Sequence, residues 1–252
     1  MGLINAPSAR VVFIHGRGRS GPSAWPLLAE AGAPEHVFLE RTCPADQPER
    51  DADRAIDALE GRGHLVGHSY GAVTAMLAAQ RRPDRLRSLV LIEPACYDVA
   101  RGGRGVERHI SAMAQVFAVA DDPSVDGREF FRRFAAGMGA PDPEVDDGTC
   151  DAVAARIRAT PAPWEISLRA DTPHLVPTLV ITGETSPMYT EVAAALEAQG
   201  ATHLAARRRS PTPGHARGRG GDHRLGGPAR PLSLTAGGAP PRGRSRAPAP
   251  AA

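Results

Sequence analysis

The chain has 252 residues, 42% of them hydrophobic and 23% charged, ordinary values for a globular domain. Its three cysteines have no paired spacing, which excludes a disulfide-stapled miniprotein and a four-cysteine zinc site. The net charge of +2 hides an asymmetry: residues 1–204 carry 20 Arg against 27 acids, whereas residues 205–252 carry ten Arg against the single acid Asp222.

Along residues 1–204, short β-branched or leucine-rich runs alternate with helix-forming stretches, the pattern of βαβ units and a mainly parallel sheet. Strands are expected at Val11 to His15, Val37 to Glu40, His64 to Gly67, Ser88 to Glu93 and Thr178 to Gly183, with a sixth near Thr202 to Ala205. Glu49 to Leu59 and Ala72 to Arg82 carry apolar residues three and four apart and read as crossover helices. From Arg101 to Asp171 no strand-like run occurs, but helical segments do, around Val106 to Ala120, Arg128 to Met138 and Cys150 to Arg158. A structureless loop of that length is improbable in a compact domain, so a helical lid over about residues 100–172 is expected. Trp164 within it reads as a hydrophobic anchor of the lid on the body; an aromatic facing a pocket is the alternative.

Residues 205–252 hold nine Gly, eight Pro and ten Arg, with Leu225, Leu232 and Leu234 as the only large aliphatics. Such a segment buries too little apolar surface to offset chain entropy, and a disordered tail is expected. No apolar run approaches the ~20 residues of a membrane-spanning helix. The N-terminal MGLINAPSAR also lacks a basic region followed by an apolar stretch, so a cytoplasmic protein without membrane insertion is expected.

The strongest chemical signal is Gly67-His68-Ser69-Tyr70-Gly71, which fits G-x-S-x-G between the strand HLVG and the helix AVTAMLAAQRR. A serine on a tight strand-to-helix turn projects its hydroxyl, glycines two residues away on each side let the chain turn, and the helix N-terminus favours an oxyanion beside it. A second signal, His15-Gly16-Arg17-Gly18-Arg19-Ser20-Gly21, follows the first strand. It lacks the Lys of a P-loop and the G-x-G-x-x-G spacing, so a phosphate cradle is the weaker reading. Beside a nucleophile elbow the loop would supply a backbone N–H from Arg17, paired with that of Tyr70, while His15 and Gly16 shape it.

With these two motifs, the strand SLVLIEP after the elbow helix and PTLVITGETSP after the lid, the chain resembles the α/β-hydrolase fold enzymes, specifically small lidded ones, over about Val11 to His203. The resemblance implies a serine nucleophile, Ser69, with an orienting acid and a general-base histidine following in chain order. Most relatives carry the acid as G-x-x-D after the post-lid strand, but at that spacing from Gly183 this chain has Ser186. A minority arrangement places it after the strand following the elbow helix, where Glu93 stands; Glu184 and Asp98 remain alternatives. For the histidine, His215 in Pro213-Gly214-His215 is the nearest match, and His203 and His223 are weaker ones. No amphipathic helix follows.

All 30 basic residues are Arg, read here as GC-rich codon usage rather than phosphate binding. Out-of-frame reading of such a gene yields mostly Arg, Ala, Gly and Pro, so the tail reads as a frameshift product that has lost the native final strand, His loop and helix. A natural basic tail is the other reading, and the remaining two reading frames of the gene distinguish them. The expected function is hydrolysis of a small to medium ester, lactone or related acyl compound, with no cofactor or metal. The alternative is a catalytically impaired hydrolase-like protein. Ten arginines without an interleaved aromatic suggest no specific nucleic-acid recognition. Cys43, Cys96 and Cys150 read as inert thiols.

Overall fold

The computed structural model describes residues 9–17, 21–40, 48–183 and 186–206, all within one compact unit that ends at Ser210. Among the described residues six strands form a single sheet: β1 (Val11–Ile14), β2 (His36–Phe38), β3 (Gly63–His68), β4 (Leu86–Ile92), β5 (Thr178–Gly183) and β6 (Thr202–Ala206). Their order is β2-β1-β3-β4-β5-β6 and every pairing is parallel. Parallel neighbours need a crossover, and the helices that supply it cover the faces, which is why the strands are so rich in Val, Leu and Ile. Leu65, Leu89, Leu91 and Val180 are essentially inaccessible to solvent. Each such side chain, fully buried, contributes ~1.5–3 kcal/mol.

The crossovers are α1 (Pro26–Glu30), α2 (Pro48–Ala58), α3 (Tyr70–Arg81) and, between β5 and β6, α8 (Pro187–Glu197). Helix α3 is buried from Tyr70 through Ala79. Four alanines among those residues keep the helix thin enough to lie directly on β1, β3 and β4, with α2 packed beside it. Helix α8 covers β5 and β6. Neither α1 nor α8 was anticipated, although Ser186-Pro187 is a helix-start signal, with Ser186 at the N-cap and proline in the first turn.

Between β4 and β5 the chain makes α4 (Arg104–Phe117), α5 (Gly127–Gly137), α6 (Asp147–Arg158) and the one-turn α7 (Thr172–Leu175), with no strand. Asp126 and Asp146 cap α5 and α6 by accepting from the amides of Glu129 and Thr149 at 2.8 and 2.9 Å. This insertion has its own small core, Val116, Val125, Phe130, Val153, Ala154 and Ile157. It is fastened to the sheet-covering layer by Glu191 of α8, whose carboxylate accepts the amides of Gly105 and Val106 at 2.8 Å and so satisfies the first turn of α4. Trp164 lies edge-on to Phe117, ring centroids 5.5 Å apart, and packs half-buried against the main core, as the anchor reading requires.

Boundaries differ from expectation where the site begins. Strand β4 ends at Ile92 because Glu93 adopts φ +43°, and α3 starts at Tyr70, two residues early, because the turn at Ser69 enters the helix directly. Strand β2 is displaced by one residue and shorter than the run Val37 to Glu40, its register set by the pairing of Val11 with His36.

Candidate active site

In an open parallel sheet, ligands bind beyond the carboxyl ends of the strands. The register aligns those ends: Ile14 lies beside Gly67, His68 beside Ile92, and Ile92 beside Ile181. Residues 15–17, Ser69, Glu93 and Gly183 therefore meet at one rim, on strands spaced ~4.8 Å apart.

Ser69 lies between β3 and α3 with φ +53° and ψ −119°, half-buried. Among described non-glycine residues only Glu60, Ser69 and Glu93 have positive φ, and such strain, on the order of 1–3 kcal/mol, concentrates where function requires it. The Ser69 amide donates to Ile92 O at 2.9 Å, and its carbonyl accepts from the amides of Ala72 and Ala95 at 3.0 and 3.2 Å. The backbone is thus held on three sides. Close approach is what the flanking glycines permit: a Cβ on Gly71 would stand 2.2 Å from Ile14 O, and one on Gly67 2.6 Å from Gly71 O. A Cβ on Gly16 would stand 3.0 Å from Ser69 Cβ, so the loop after β1 rests against the turn.

His15 is buried in that loop, its Nδ1 2.7 Å from Gly16 O. Arg17 reaches over the Tyr70 ring, 4.3 Å from guanidinium carbon to ring centroid, and donates to the carbonyls of Thr160, at 3.2 Å, and Pro161. Tyr70, buried at the start of α3, donates its hydroxyl to Pro161 O at 3.1 Å.

Glu93 is half-buried, with Oε1 3.0 Å from the position a Gly183 Cβ would take. Asp98 accepts the Leu168 amide at 2.9 Å and so ties down the end of the insertion. His203 is bonded through Nε2 to Thr182 Oγ1 at 2.8 Å, on the β5–β6 pair. Glu184, His215, His223 and Cys43 lie outside the described residues. Cys96 and Cys150 are free and buried, and burial pushes the Cys96 thiol far up, keeping it neutral.

One residue of this rim was missed. Tyr189, in the first turn of α8, is buried, and its hydroxyl lies near the side chains of Ser69 and Tyr97. Burial, then the nearby Glu93 charge, pushes its hydroxyl up to about 12, so it stays protonated at ordinary pH. Among the described residues no group of three or more His, Cys, Asp or Glu is placed to hold a metal ion, and no helix is long and apolar enough to cross a membrane.

A six-stranded parallel sheet, a helical insertion after the fourth strand and a serine at a strained strand-to-helix turn define one class. The chain belongs to the alpha/beta hydrolase family, whose model matches residues 11–231. A lipase of Mycobacterium tuberculosis, LipV, is 33% identical over 175 residues, which cover 64% of this chain. The match spans 64% of LipV's own length. Among solved structures, a hydrolase from Oleispira antarctica has a TM-score of 0.56 at 13% identity, covering 81% of this chain and 84% of that one. A structure from a study of carboxylesterases of Nitrososphaera gargenis has a TM-score of 0.54 at 15% identity, covering 81% and 83%. At those identities the likeness is one of fold.

Proposed function

We propose that the protein is a serine hydrolase of small to medium esters, lactones or related acyl compounds. The observation that carries this reading is the Ser69 backbone, φ +53° at the head of α3, with the Gly16 loop against it. Ser69 Oγ attacks the acyl carbon while a histidine takes the hydroxyl proton, and the carbonyl π pair moves onto oxygen. The amides of Tyr70 and Arg17 receive that oxyanion at the positive end of the helix. Collapse expels the alcohol, protonated by the imidazolium, and water then releases the acid by the same steps.

Glu93 is assigned as the group that orients the imidazole: the register sets it beside Ser69 on the neighbouring strand, and Ser186 cannot serve as an acid. His215 is the assigned base and falls within the stretch matched by the family model. The helical insertion is assigned as the lid over this rim. Identity to a protein named a lipase supports an acyl ester as substrate.

The test compares hydrolysis of p-nitrophenyl acetate and butyrate by the parent and Ser69→Ala. The parent is expected to show burst acylation, and the variant to lose it and to fall by ~10³-fold or more in turnover. Equal turnover in both would show that Ser69 is not an acylated nucleophile, and no turnover above background in either would favour the impaired reading.

A further inference from the structure

Arg17 follows β1 and Tyr70 opens α3, yet their side chains end at one place. The Arg17 guanidinium donates to Thr160 O at 3.2 Å and to Pro161 O, and the Tyr70 hydroxyl donates to the same Pro161 O at 3.1 Å. A carbonyl has two lone pairs, so Pro161 accepts both donors at once. The guanidinium lies over the Tyr70 ring and, with its carbon 5.1 Å from the centroid, over the Phe117 ring at the end of α4. The receiving segment is itself held: Thr160 and Ala162 are buried, Thr160 Oγ1 donates to Arg156 O at 2.6 Å, and the Ala162 amide donates to Glu165 Oε2 at 2.9 Å.

We propose that the side chains of Arg17 and Tyr70 are positioning groups through which the Thr160–Ala162 segment of the insertion sets the oxyanion pocket. The two residues whose amides face the oxyanion are fastened to a single carbonyl of the insertion, so displacing that carbonyl loosens both donors together. This rests on the acyl-transfer reading for what the amides do; the fastening itself rests only on the contacts above. An interaction realised in the transition state changes kcat, whereas ground-state binding changes KM.

The experiment uses the full chain with Tyr70→Phe, Arg17→Met and the double variant, each assayed with p-nitrophenyl acetate. Each single substitution is expected to lower kcat ~10-fold with KM within about twofold, less than the ~10²–10³ lost when an oxyanion donor is removed outright. The double variant is expected to lose ~10–30-fold rather than the ~100-fold of independent sites, since both act through Pro161. A multiplicative double loss, or losses confined to KM, overturns the proposal.

Amide hydrogen exchange on Tyr70→Phe supplies a readout without activity. Faster exchange at both 15–17 and 160–162 is expected, and faster exchange at 160–162 alone, or no change at either, overturns the coupling. If Ser69→Ala retains full turnover, the acyl-transfer reading fails while hydrogen exchange still decides whether the two segments are coupled.

Discussion

Gly71→Ala tests the geometry on which the site depends. The added Cβ would stand 2.2 Å from Ile14 O and 2.7 Å from His15 O. Ordinary C···O contacts are ~3.3 Å or longer, so the head of α3 and the end of β1 must part by about 1 Å. Both opposing atoms are backbone and have no rotamer to escape into, which places the cost toward the upper end of ~1–3 kcal/mol for overpacking. For a domain of this size that corresponds to a Tm lower by roughly 5–10 °C. Ser69 rides on the displaced turn, and a misplacement of ~1 Å at a reacting group costs ~10²-fold in rate. Differential scanning fluorimetry and p-nitrophenyl acetate turnover measure the two effects. Gly148→Ala, inside α6 with only the Asp146 carboxylate 3.3 Å from the new Cβ, is the control and is expected to be neutral or slightly stabilising. If Gly71→Ala melts within about 2 °C of the parent and keeps its turnover, the close approach of α3 to β1 is not what holds Ser69 in place.

Glu93→Gln keeps the shape and removes the charge. Turnover is expected to fall ~10²–10⁴-fold with little change in melting, whereas Glu184→Gln stays near the parent; the reverse pattern moves the orienting role to Glu184. His109 packs against the Tyr97 ring, and burial depresses its pKa from 6.5 to about 4. Its unfolded form binds more protons than the folded one between those values, so stability is lost as pH falls from 6.5 toward 4. His109→Leu should flatten that part of a Tm-against-pH curve, and an unchanged slope would assign the acid sensitivity elsewhere. Tyr189→Phe removes the hydroxyl that lies near Ser69 and Tyr97; a kcat lower by ~10-fold is expected, and parent-like kinetics would make Tyr189 a packing residue only.

The sheet was legible because each of its central strands is a short apolar run bounded by glycine, proline or a helix-forming stretch, a pattern that two-sided burial imposes. The turn at Ser69 was legible because Gly67 and Gly71 admit contacts that no other residue does. Tyr189 was not, because Pro187-Met188-Tyr189 carries only a helix start, and its contact with Ser69 exists only once β3, β4 and β5 are adjacent. The joint hold of Arg17 and Tyr70 on Pro161 escaped for the same reason: a backbone carbonyl has no residue-type signature. Glu93 was reached from the serine at position 186, while its positive φ had no local signal, since glutamate has no preference for that region.

The spatial order of the strands also bears on how the chain is made. Four of them, β2-β1-β3-β4, have been synthesised by Ile92, but the outer neighbour of β4 is not supplied until Thr178 emerges. At ~5–20 residues per second, roughly ten seconds pass while the insertion is translated. During that interval β4, one of the two central strands of the described sheet, is an edge, with unpaired amides and carbonyls and the apolar pattern of a strand meant for burial. Nascent-chain aggregation, or capture by a ribosome-associated chaperone, should therefore peak for chains stalled in this window and decline once β5 has cleared the exit tunnel.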